Sequence, residues 1–358
     1  MRSLIIKLSM VVTLFLAAIA QANDDLQVYT ELSLDMPPGN IAIGPDGRMF
    51  ISVHEFYGKE LKVVELFRDG STRPYPTAKW ATAPAEGKEN GLYGVLGLNV
   101  DRAGILWMLD TSGPDRAGRL IGWNTRREKL HKIIYLGKPV INDVTFLNDL
   151  AIDTKHKFAY LADTSGAIIV VNLRTGQARR VLEGSRFTVA EDIDMVIDGR
   201  TIFLGGEPAR LGINPATIDP KNKFFYFGAM SGTALYRIAT TYLRDFSLSD
   251  AQLEARIEQY GDKPISDGIT IDGGENVYIT SITENAIGVV GPDGEYKILY
   301  QDESISWPDG FAYGADDNIY FTVNQLHKSP PLNDGQNTTE GTFKVMYFPA
   351  LVRGKVGR

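Results

Sequence analysis

Cysteine is absent from this 358-residue chain, which excludes a disulfide framework, Cys-ligated zinc, iron–sulfur clusters and thiol catalysis together. Histidine is scarce. The four present, His54, His131, His156 and His327, have no metal-ligand spacing and read as structural or exposed side chains. Basic charge is in deficit, with 37 Lys and Arg against 44 Asp and Glu and a net charge of −7. Without a basic field to attract a phosphate backbone, nucleic acid is not an expected partner. No G-x-S-x-G nucleophile elbow occurs, and Ser231 in AMSG reads as part of a strand turn. The GPDRAGR segment has the glycine spacing of a phosphate loop, but Arg119-Leu120 follow where Lys-Ser/Thr is required, so it reads as a hairpin turn.

Long apolar runs are missing too, except at the start. Arg2 and Lys7 precede an apolar stretch from Leu8 to Ala20 that ends in Ala20-Gln21-Ala22. At about 13 residues the run is short of the roughly 20 that span a bilayer, so residues 1–22 are expected to be a cleavable signal peptide. The mature chain, 23–358, is then expected to be a single secreted or periplasmic domain with no membrane span.

What is present is a repeat. Six units each combine an apolar triplet, an acidic turn and an aromatic-led strand: IAIGPDGRMFIS, LNVDRAGILWML, LAIDTKHKFAYLA, ATIDPKNKFFYFG, ITIDGGENVYIT and FAYGADDNIYFT. Their turn aspartates are Asp46, Asp101, Asp153, Asp219, Asp272 and Asp316, and the aromatics that follow are Phe50, Trp107, Tyr160, Tyr226, Tyr278 and Tyr320. A third apolar segment follows each unit, and a fourth is visible as LHKIIY, ARRVL and YKILY. Four short strands in each of six units predict an all-β, six-bladed β-propeller, because such small sheets bury their faces only against one another. The sixth unit lacks a fourth strand, and the orphan LQVYTEL at Leu26 to Leu32 is expected to supply it and close the ring. One helix is expected from the capping box Ser249/Gln252, with Leu253 and Ile257 on one face and Gly261 as its stop, in the connection to unit five. The insertion from Glu183 to Gly212 is expected to decorate one face of the ring.

In a propeller the innermost strands start at the central channel, so the polar residues before each apolar triplet converge at one mouth. They are Asn40, Asn148-Asp149, Asn214, Asp267 and Asp309, with Asn324 of IYFTVNQLHK added to the ligand-binding group. Such oxygens can hold a polar ligand or a hard cation; each one singly also suits a strand-start turn. Asp267 is the candidate general base, and Asp309 is the carboxylate placed to raise its proton affinity.

These residues resemble the yellow/major royal jelly proteins. The resemblance is carried by VLGLNVDRAGILWMLDTSG, LNDLAIDTKHKFAYLADTSGAIIVVNLRTGQARRVL, FFYFGAMSGTALYRIATTYLRD, ENAIGVV and IYFTVNQLHK with TFKVMYF. It implies a secreted six-bladed propeller related to pigment-pathway proteins linked to dopachrome conversion and to binders of biogenic amines or lipids; the family's cysteines are missing here. A more distant similarity is to the gluconolactonase/regucalcin-like lactonases. It matches Asn148-Asp149-Leu150 to their N-D-G, Asn214 to their metal asparagine and Asp267 to their metal-binding, proton-transferring aspartate. Their first-blade metal glutamate falls at Gly39-Asn40. Three functions stay open at this level. The first is binding, with isomerisation, of a small polar or aromatic metabolite. The second is a lactonase using calcium or another divalent cation on Asn214 and Asp267. The third is a non-catalytic interaction scaffold.

Overall fold

A computed structural model describes residues 25–356 of the chain apart from 87 and 114; the expected signal peptide, 1–22, lies outside the described residues. Six four-stranded antiparallel sheets follow one another along the chain as the blades of a propeller. From the channel outward, the first blade is Pro38–Ile43, Met49–Val53, Val63–Leu66 and Thr72–Pro74. The innermost strands of the second to fourth blades are Val95–Val100, Leu147–Asp153 and Ile213–Ile218, and those of the fifth and sixth are Ile269–Ile271 and Pro308–Tyr313. The last blade is completed by Gln27–Leu32, which pairs antiparallel with Phe343–Pro349, Leu32 opposite Phe343. The expected closure is therefore made, and the ring leaves no open first or last blade.

Six buried apolar clusters hold the ring together, one for each interface between neighbouring blades. Tyr160 and Ile168 of the third blade meet Phe225 and Phe227 of the fourth, for example, and Phe50 and Val63 of the first meet Leu98 and Met108 of the second. A blade buries its faces only against its neighbours, which is why the strands read as nearly continuous apolar runs. The recurring pairing of a turn aspartate with an aromatic has a physical cause. Asp101 accepts from the Trp107 indole, and Asp153, Asp272 and Asp316 accept from the hydroxyls of Tyr160, Tyr278 and Tyr320. The carboxylate thus satisfies both the turn amides and the one polar atom of a buried ring.

The helix is shorter than expected. The Ser249/Gln252 capping box is present, but the helix covers only Asp250–Glu254. Ile257 lies beyond it, and Gly261 pairs with Leu235 in Glu258–Asp262, the outer strand of the fourth blade. Completing that sheet overrides the local helical pattern, so the helix lies within the fourth blade, in the loop before its last strand. The insertion at 183–212 forms two small hairpins, Val196–Ile197 with Arg200–Thr201 and Phe203–Leu204 with Glu207–Pro208. Met195, Ile197, Ile202 and Ala209 of this segment pack in one cluster with Trp307, Leu326 and Leu332 of the sixth blade. Arg200 donates to the carbonyls of His327 (2.9 Å) and Leu332 (3.2 Å). The insertion is therefore a strap running from the fourth blade's side of the mouth to the sixth.

Candidate functional site: three buried carboxylates under a strap

The ladder register shifts at the same place in five blades, between Pro38 and Ile41, Val95 and Leu98, Leu147 and Leu150, Ile213 and Ala216, and Pro308 and Phe311. A bulge frees two residues from the pairing and re-aims their side chains. The freed pairs are Gly39-Asn40, Leu96-Gly97, Asn148-Asp149, Asn214-Pro215 and Asp309-Gly310. In the fifth blade Asp267-Gly268 lies just ahead of the strand, and Gly268 accepts from the Thr280 amide. Glycine is required at two of these lips. A Cβ on Gly268 would run into the Asp309 carbonyl, and one on Gly310 into Asn40.

Six of the sequence-predicted residues, Asn40, Asn148, Asp149, Asn214, Asp267 and Asp309, line one cavity. Its volume is about 40 Å³, room for a few waters. The second blade contributes only Leu96 to this lining. Asn324 is not in the lining. It sits behind Asp309, donating to its Oδ2 at 2.8 Å and to the Pro38 carbonyl at 3.0 Å, while its own carbonyl accepts from the Tyr57 hydroxyl at 2.6 Å. It therefore holds the Asp309 carboxyl in place instead of facing the cavity. Apolar walls come from Phe56, Phe146, Met230, Leu211 of the strap, and Leu326 and Leu332.

The three aspartates are almost fully buried, and no Lys or Arg is among the described residues that line the cavity. Their protonation separates accordingly. Asp267 accepts from the Trp307 indole at 2.7 Å on Oδ2 and from the Asn214 amide on Oδ1; burial still lifts its pKa, to about 6. Burial lifts Asp149 to about 7, against donors from Leu150, Ala216 and Asn40. Asp309 is held well above the usual carboxylate range by burial first, then by the charges of Asp267 and Asp149, with only Asn324 opposing. Burial thus raises all three carboxyls, and the charge of Asp267 raises Asp309 further, so the two are pushed apart in the sense that acid–base chemistry uses.

Two further side chains of the lining escape a reading of lip residues. His54 is buried in the lining, and its Nδ1 accepts from the Phe56 amide at 3.3 Å. Burial drives its pKa down to about 3, so the ring is neutral with its proton on Nε2, which has no partner among the described residues. Trp307 stacks on His327 and stands in left-handed backbone, φ 55°, an uncommon conformation for a bulky residue next to a site. The only trace of Trp307 in the sequence is its place just ahead of Pro308-Asp309-Gly310; His54 has none.

A cation at this mouth would draw on Asn214 and Asp267. The donor set is thin. Asn40 stands where a carboxylate would be needed, with its Oδ1 accepting from Ile41 and its amide donating to Asp149, and among the described residues no group of three or more His, Cys, Asp or Glu is arranged to hold a metal ion.

Comparison with known proteins fits this architecture. The family model described as "Major royal jelly protein" matches residues 93–344, well over half of the chain. The chain belongs to the major royal jelly protein family. No curated protein matches it in sequence. Solved structures similar to this family member include a gluconolactonase from Xanthomonas campestris (12% identity, TM-score 0.55, covering 90% of this chain and 89% of that one). A luciferin-regenerating enzyme is similar at 11% identity and TM-score 0.56, covering 93% and 97%. A pyrroloquinoline-quinone-bound aldose sugar dehydrogenase from Streptomyces coelicolor is similar at 11% and 0.54, covering 90% and 97%. At such identities the likeness is one of fold, including to gluconolactonase-like proteins.

Proposed function

We propose that this family member is an exported protein that binds a small polar or aromatic metabolite at the channel mouth and isomerises it by moving a proton. The observation that carries the reading is the convergence of the buried Asp149, Asp267 and Asp309 on one small cavity, where burial raises each carboxyl and the charge of Asp267 raises Asp309 further. Asp267 removes a proton from carbon next to a carbonyl or quinone-type group. Asp309 gives its proton to the oxygen that gains charge, and the His54 Nε2–H supplies a further hydrogen bond there. Substrate and product have the same formula. The enzyme is left with a protonated Asp267 and an ionised Asp309, and passing one proton back resets the pair. A cavity of about 40 Å³ does not admit a ring-sized ligand, so the strap must open and re-close over it.

A dopachrome-type iminoquinone is the substrate class to test first, since it carries an acidic C–H beside a conjugated acceptor. Purified mature protein is expected to accelerate its tautomerisation, and Asp267→Asn to lose about 100-fold or more with the melting temperature retained. No turnover of any catechol-derived substrate would end the enzymatic reading. Lactone hydrolysis dependent on added calcium would replace it with the metal-dependent one, and stoichiometric capture of a single protein partner by a protein without turnover would favour a scaffold.

A further inference from the structure

Where the turns of the second and third blades meet on the rim there is a cleft of about 560 Å³. We infer that this cleft is a second ligand site, for an amphipathic organic anion such as an aryl or alkyl carboxylate or sulfonate. Its floor is apolar: Ile105, Trp107, Ile152 and Leu173 are buried side chains, with His131 set edge-on to Trp107 at 5.9 Å. The rim is cationic. Arg127 and Lys132 come from the second blade and Lys157 and Arg174 from the third.

In a chain of net charge −7, what matters is how these charges are matched. Asp101 is the one carboxylate among the described lining residues, and it is fully used. Its Oδ1 accepts from the amides of Ala103 and Ile105, and its Oδ2 from the Trp107 indole. Lys132 is tied to the carbonyls of Leu173 (2.7 Å) and Arg174 (3.1 Å), which joins the two blades across the cleft. Arg127, Lys157 and Arg174 are exposed and have no carboxylate partner among the described residues. Three unmatched cations around an apolar floor select a ligand with a ring or chain at one end and negative charge at the other. A ligand of one kind only, apolar or ionic, would leave half of the cleft unused. The volume is that of a small-molecule site, and the walls are turns held by the rigid ring. The charges are far apart in sequence, at 127–132, 157 and 174, and only the packing of adjacent blades collects them.

The test is calorimetric titration of the full mature protein with naphthalene-2-sulfonate. The expected result is one site that weakens in high salt and at least about tenfold in the double variant Arg127→Glu/Arg174→Glu, while Asp267→Asn binds as wild type. Circular dichroism establishes that the double variant is folded; if it is not, Lys157→Glu alone is expected to weaken binding severalfold. Undetectable binding at millimolar probe, unchanged affinity in the charge-reversed proteins, equal affinity for uncharged 2-naphthalenemethanol, or loss of binding in Asp267→Asn would each overturn the assignment. The last outcome would place the probe in the channel.

Discussion

Replacing Trp307 with Phe should raise the pH at which Asp267 loses its proton. In the folded protein the indole N–H lies 2.7 Å from Asp267 Oδ2 and stabilises the carboxylate form against the burial that opposes it. A hydrogen bond to a charged group contributes about 1.5–3 kcal/mol, and one pH unit corresponds to about 1.4 kcal/mol. Losing the donor while keeping an aromatic ring in place should therefore move the midpoint from about 6 up by roughly 1–2 pH units. The direction follows because only the ionised form gains from the lost bond. Carboxyl carbon NMR of aspartate-labelled protein, titrated in the wild type and in Trp307→Phe, measures it directly. Asn214→Ala, which removes the donor to Oδ1, should shift the same resonance in the same sense. A midpoint unmoved in a folded Trp307→Phe protein would refute the claim that the indole sets the ionisation of Asp267, and with it the separation of base from acid.

Stability should fall as pH rises. Asp149 titrates near 7 in the folded chain, against an ordinary 3.8, so its stabilising contribution is complete below about pH 4 and lost as pH passes through 7. Asp149→Asn should flatten that dependence by roughly 3 kcal/mol at most between pH 5 and pH 8, read as urea midpoints at those two pH values. Arg200→Ala removes two bonds that tie the strap to His327 and Leu332 and should speed ligand association in stopped flow with little change in melting temperature. Gly268→Ala forces a methyl group against the Asp309 carbonyl and should cost about 1–3 kcal/mol by denaturant unfolding, together with loss of ligand binding. N-terminal sequencing of protein recovered from the periplasm or medium should begin near Asn23; a start at Met1 would speak against export.

The architecture was legible because it is written in a repeat. A turn aspartate followed by an aromatic recurs in every unit, bonded to it in four of them, and the unpaired LQVYTEL run is matched by a last blade one strand short. The lip residues were legible for a related reason: topology alone brings strand starts together. What local patterns could not carry is which atom each lip residue addresses. Asn324 shares the polarity of the others but stands behind Asp309, while His54 follows the second strand of the first blade and enters the lining through the turn it caps. The extent of the helix expected over 249–261 is not legible because Leu253, Ile257 and Gly261 suit a helix and its stop as well as they suit a helix followed by a strand. The strap has almost no internal pattern. Its contacts are with a blade more than 100 residues further along the chain, as in the bond from Arg200 to His327.

Proton transfer by Asp267 and Asp309 requires the ligand to be held in the cavity between them. A crystal structure of the mature protein with a bound catechol-derived inhibitor tests this most directly. The expected result is the ligand beneath the 183–212 strap, an oxygen within hydrogen-bonding distance of Asp309 and His54 Nε2, and its acidic C–H or N–H turned to Asp267. An inhibitor found only on the rim of the ring, with the three aspartates still facing water, would contradict it.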